Sequence, residues 1–141
     1  MKKAVFSKKG AKVVGPYSPA IKFGNLLFIS GQIGIDAKTG ALAPTLEKQT
    51  NLTFKNIEAI LKEENLTFDD VLKANVYLQN MDDFVKMNEI YAKHFNEPFP
   101  ARATVQVARL PKDALIEIEV LAGLKSHDNH DCDCGGNCGE C

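Results

Sequence analysis

Apolar and polar positions change period along this chain, and the changes mark out its elements. "AVFS" near the start reads as a short strand, and "GPYS" at Gly15 and Pro16 as a turn. "AIKFGNLLFISGQIGI" is two strand-like runs meeting at Gly24-Asn25, the signature of a hairpin. Gly31 and Gly34 interrupt the second run and predict a bulge or a close backbone approach. From Thr45 the period lengthens. Leu46, Thr53, Phe54, Ile57, Ile60 and Leu61 fall near helical spacing up to about Glu64, with Thr45 as the cap. "VLKANVYL", Val71 to Leu78, is a strand. A second helix is expected from about Asp82, with a stripe of Phe84, Met87, Asn88, Tyr91 and Phe95, and "NEPFP" ends it. Two last strands, Ala103 to Ala108 and Leu115 to Ala122, are expected to form a hairpin through "RLPKD".

Six strands and two helices in this order predict a two-layer α+β domain with both helices on one face of the sheet. Parity then sorts the last two strands. Ala103, Val105 and Val107 are expected to join Ile116, Ile118, Val120 and Ala122 under the helices. Arg102, Thr104 and Gln106 would share the opposite face with Glu117 and Glu119, placing Thr104 roughly opposite Glu117 and Arg102 diagonal to it. Such a face is either a solvated surface with a weak ion pair or a surface on which subunits pack. Asn88 on the apolar stripe either holds a backbone turn or lines a polar pocket.

Length and composition narrow the class. At 141 residues, 45% hydrophobic and 25% charged, the chain fits one globular domain, here residues 1–125, followed by a Cys/His-rich tail at 126–141. A net charge of −1 supplies no field to recruit nucleic acid or an anionic membrane, so neither is expected as a partner. The N-terminal lysines precede no apolar run, so no signal peptide is expected and the protein is placed in the cytoplasm. All four cysteines fall in the last ten residues, so the domain rests on no disulfide and uses no thiol.

"GPYSPA", "FISGQI", "FPARATVQVARLP" and "IEIEVLA" stand in order and together resemble the RidA/YjgF family of reactive-intermediate deaminases, over about Lys3 to Leu124. The resemblance implies a chorismate-mutase-like α+β fold and a homotrimer with clefts between subunits. It implies cofactor-free hydrolysis of 2-iminopropanoate, its 2-aminoacrylate tautomer and 2-iminobutanoate to 2-keto acid and ammonia. Arg102 matches the family's substrate-gripping arginine, and a guanidinium suits a carboxylate through two parallel hydrogen bonds. Glu117 is the candidate to orient water. Tyr17 and Asn88 match cleft positions; the other readings are a tyrosine packed beside a turn and an amide holding one. Ser30 ends a strand where it can meet ligand, with Gly31 allowing close approach, or else satisfies its own turn. Thr104 departs from the cysteine common at its position and keeps a small polar group at the site. Arg109, in the connecting loop, reads as structural or surface.

The tail, "SHDNHDCDCGGNCGEC", lies outside the family's domain. Cys132, Cys134, Cys138 and Cys141, with His127 and His130 nearby, form a compact thiolate-rich set suited to a soft metal ion, in no standard zinc-finger spacing. A segment with no specific role, and one whose thiols pair as disulfides, are the other readings. Two further functional classes compete with the enzyme: a trimer that binds small carboxylates without turnover, and a metal or redox role carried by the tail.

Overall fold

The computed structural model describes residues 1–125. The four tail cysteines expected as metal ligands lie outside the described residues. The elements are β1 (Lys3–Val5), β2 (Ala20–Phe23), β3 (Leu26–Ile33), α1 (Leu46–Glu63), β4 (Val71–Leu78), α2 (Phe84–Ala92), β5 (Ala101–Gln106) and β6 (Ile116–Gly123). The strands form one six-stranded sheet in the order β1-β2-β3-β6-β4-β5. Only the β4–β5 pair is parallel, so the sheet is mixed.

Local chemistry accounts for the elements. Gly24 takes φ 60 in the β2–β3 turn, a conformation open to glycine. The β3–β6 register slips between Ile29 and Gln32, so the bulge predicted at Gly31 is there. Thr45 caps α1, accepting from the Lys48 backbone N–H at 3.2 Å. A Cβ at Gly34 would overlap the backbone of Gln49, so glycine lets β3 run against α1. Gln49 and Asn56, both buried on α1, tie it to the sheet side. Gln49 Nε2 donates to Ala43 O and its Oε1 accepts from Leu115 N, and Asn56 Nδ2 donates to the carbonyls of Ile33 and Ile35.

One layer of apolar side chains joins helices and sheet. Leu27, Ile29, Val76, Leu78, Ile116 and Ile118 meet Phe54, Ile57, Leu61 and Met87, all buried. Burial of this kind stabilises by roughly 25 cal/mol per Å² of apolar surface. β6 alternates buried and half-buried residues from Ile116 onward, so only one face of the sheet is covered by the helices.

Two expectations are corrected. The second helix starts at Phe84, not Asp82; a 3₁₀ turn at Met81–Asp83 precedes it, capped by Asn80, whose side chain accepts from Asp82 N. The last two strands do not pair with each other. β5 runs parallel to β4, and β6 lies on the other side of β4, so Thr104 is not opposite Glu117 and Arg102 is not its diagonal neighbour. The pairing also reverses one set of faces. Arg102 and Thr104 pair with Ala74 and Val76, whose partners on β6 are Val120 and Ile118, on the helix face. Ala103 and Val105 are level with Asn75 and Tyr77, opposite Glu119 and Glu117.

Candidate functional site

The sequence-derived candidates fall into two groups, one on each face of the sheet. The first is built by β5 and α2. Arg102 Nη1 donates to Asn88 Oδ1 at 2.7 Å. Its guanidinium carbon lies 4.6 Å from the Tyr91 ring centroid and 5.5 Å from that of Phe84. One hydrogen bond and two aromatic faces hold the arginine while the rest of its donor fork stays unused. Thr104 follows two residues later on the same side. Among the described residues, Thr104 Oγ1 and Tyr91 Oη are buried side-chain oxygens without a hydrogen-bond partner. Burial pushes the Tyr91 phenol up, while the Arg102 charge pulls the other way.

The second group gathers on the uncovered face around a depression of about 600 Å³, lined by Tyr17, Ser30, Gly31, Glu117 and Glu119. Glu117 sits over the β3 bulge so closely that a Cβ on Gly31 would overlap its carboxylate. Burial and then the neighbouring Glu119 charge hold the Glu117 carboxyl above its ordinary value. Tyr17 is half exposed, and its loop is pinned from below. Ser30 Oγ donates to Ser18 O at 2.6 Å and Ser30 N to Pro19 O at 2.9 Å. The serine hydroxyl is therefore committed to the loop that carries Tyr17.

The sequence pattern missed two further groups. Tyr91 lay in the helix stripe and looked like core; its ring is also the plate beneath Arg102. Glu119 belongs with Tyr77 and Asn75, which donate to the same oxygen, Oε1, at 2.6 and 3.1 Å. No local signal marks that cluster, because β4 and β6 are adjacent only in the folded sheet. Arg109 pairs with Asp113 at 2.7 Å in the β5–β6 connection, away from both groups. A larger depression, about 890 Å³, opens beside α1 among Lys8, Lys55, Lys62 and Glu58 and contains none of the candidates. Among the described residues no cluster of three or more His, Cys, Asp or Glu could hold a metal ion.

Known proteins resemble the chain over nearly all of this domain. Residues 8–124 match the family model described as Endoribonuclease L-PSP. A RutC family protein of Pyrococcus horikoshii is 52% identical over 123 residues, covering 86% of this chain and 98% of the relative. Reactive Intermediate Deaminase A, chloroplastic, of Arabidopsis thaliana is 44% identical over 87% of this chain and 66% of its own length. The crystal structure of Escherichia coli TdcF with bound serine superposes with a TM-score of 0.82 at 34% identity, covering 87% of this chain and 99% of that one.

Proposed function

The chain belongs to the RidA/YjgF family, and from that premise we propose that it hydrolyses 2-imino acids and their enamine tautomers to 2-keto acids and ammonia. The observation that carries the reading is the division of the site residues: a preorganised guanidinium on one face and a half-buried carboxylate with raised proton affinity on the other. An active cavity containing both needs two copies, with the β5–α2 edge of one subunit against the Glu117 face of the next. Phe28 and Val105 share the Glu117 face and are 47% and 46% exposed in the single chain, apolar surface suited to such a contact. A head-to-tail contact of this kind closes into a ring, here a trimer with one site per interface.

The chemistry asks little of the protein. The free N–H groups of Arg102 grip the substrate carboxylate, and Asn88, Tyr91 and Phe84 fix the direction of that grip. Thr104 Oγ1 stands beside it as an unused polar group. Glu117 orients a water toward the imine carbon and takes its proton as the C–O bond forms. On the protonated imine this gives a neutral carbinolamine; Glu117 returns the proton to its nitrogen, ammonia leaves with the C–N electron pair, and Glu117 takes the hydroxyl proton as the C=O forms. Tyr17 closes the small substrate from the loop side. Arg102 is held by the neutral Asn88 amide and two aromatic rings, a setting that favours a small carboxylate over RNA.

The test couples a serine or threonine dehydratase to the protein and follows keto-acid release. Wild type is expected to accelerate imine hydrolysis, and Arg102→Ala to abolish the acceleration. Glu117→Gln is expected to bind a small 2-keto acid while losing turnover. Wild type that binds carboxylates but gives no acceleration would leave a binding protein instead.

A further inference from the structure

Glu119 is two residues from Glu117 on the same strand and the same face, so their Cα atoms are about 7 Å apart. Its carboxylate is not free to move. Tyr77 Oη and Asn75 Nδ2, both from β4, donate to its Oε1 at 2.6 and 3.1 Å. The Tyr77 phenol is pushed up to about 12, chiefly by this hydrogen bond, so it remains a proton donor at any working pH. Glu117 packs against Gly31 of the β3 bulge. Two carboxylates thereby lie side by side over three adjacent strands, β3, β6 and β4, with Glu119 clamped. Both line the same depression, whose other titratable groups are Lys12, Tyr17 and Lys112.

We infer that Glu119 is a positioning residue for Glu117: clamped by Tyr77 and Asn75, it keeps a fixed negative charge beside Glu117 and so strengthens Glu117 as the acceptor of the water proton. The inference rests on the reading of Glu117 as the water-orienting group. A solvated glutamate is a weak base, and a base is most effective when its proton affinity lies near the working pH. Burial supplies part of that shift and a neighbouring carboxylate the rest. A free Glu119 would turn toward solvent and its influence would be screened; the β4 clamp prevents this.

The experiment reads Glu117 directly, by carbon-13 titration of its carboxyl in wild type, Glu119→Gln, Glu119→Asp and Tyr77→Phe, alongside pH profiles of kcat/KM for imine hydrolysis. In Glu119→Gln the Glu117 midpoint is expected to fall, and the acidic limb of kcat/KM to move to lower pH with it. Glu119→Asp, which keeps the charge, is expected to restore most of the wild-type midpoint. Tyr77→Phe keeps the charge but frees it, so the midpoint falls by less than in Glu119→Gln. A Glu117 midpoint unmoved by Glu119→Gln overturns the inference, whatever the hydrolysis rate. A midpoint that falls in a protein without hydrolysis supports the coupling and removes the deaminase reading instead.

Discussion

Arg102 and Glu117 stand on opposite faces of one sheet. Arg102 pairs with Ala74 and Glu117 with Tyr77, and three residues along β4 place the two partners on opposite sides. No side-chain rotation brings a β5 residue through the sheet. If both act on one substrate, they come from different copies of the chain.

Mixing two inactive variants tests this. Arg102→Ala and Glu117→Ala proteins, each dead alone, are unfolded together and refolded. A site needing one arginine and one glutamate from different subunits is whole in about a quarter of randomly paired interfaces. The expected outcome is recovery of about that fraction of wild-type activity. No recovery in well-folded mixed oligomers would place both groups in one subunit and contradict the register.

In the proposed mechanism the grip on the carboxylate depends on the shape of the guanidinium as well as its charge. Arg102→Lys keeps the charge but loses the planar fork and its fit over Tyr91 and Phe84. Loss of one charge-assisted hydrogen bond costs about 1.5–3 kcal/mol, so kcat/KM is expected to fall by about 10- to 100-fold. Asn88→Ala, which releases the arginine from its 2.7 Å bond, is expected to act in the same direction. Steady-state kinetics on both variants decide it; a lysine enzyme with unchanged kcat/KM would show that charge alone suffices.

Much of the fold was legible because its signals are local. The Gly24-Asn25 turn, the bulge at Gly31, the cap at Thr45 and the strand Val71–Leu78 each follow from a few adjacent residues. The insertion of β6 between β3 and β4 was not legible, since nothing near the "RLPKD" connection states which strand lies across from it. Parity grouped Arg102, Thr104 and Gln106 correctly but could not say which way the group pointed. Ala103 and Val105 look like core residues, yet β5 is an edge strand and both are exposed in the single chain. Their apolarity suits a subunit contact rather than the core. The site suffered the same limit: its residue types were visible, and their division between two faces was not.

Gly31→Ala probes the seat of Glu117 without disturbing the fold. The added Cβ meets the end of the Glu117 side chain, which can swing aside. The protein is expected to melt near wild type while the carboxylate is displaced from the position proposed for orienting water. Misplacing a catalytic group by an ångström costs about 100-fold in rate. Thermal melts and kinetics on the one variant suffice; an active alanine variant would show that Glu117 need not sit on the bulge.

His94 sets an acid-side limit on stability. Its ring stacks on Phe54 with centroids 4.1 Å apart and meets Phe68 at 5.3 Å. Burial depresses its pKa below the ordinary 6.5. The unfolded chain therefore binds the proton first, and stability present above about pH 6.5 is lost as pH falls toward the folded value. Glu117, raised in the fold, contributes with the opposite sign at lower pH, so a difference measurement is needed. The melting temperature of wild type minus that of His94→Phe is expected to fall between about pH 7 and pH 5. A difference independent of pH would mean that the histidine titrates normally.

The cysteines of segment 126–141 make a separable prediction. With no thiol in residues 1–125, all of the thiolate chemistry belongs to Cys132, Cys134, Cys138 and Cys141. Four thiolates are the ligand count that a tetrahedral zinc site uses, and we propose that the segment binds zinc at about one ion per chain. Elemental analysis and thiol titration of reduced protein, full length and truncated after Lys125, test it. The full chain is expected to hold the zinc and shield its thiols, while the truncated form is expected to be metal-free and to hydrolyse imines at the wild-type rate. A metal-free full chain with four reactive thiols, after reconstitution with zinc, would end the proposal. Slower hydrolysis by the truncated form would instead tie the tail to the proposed inter-subunit site.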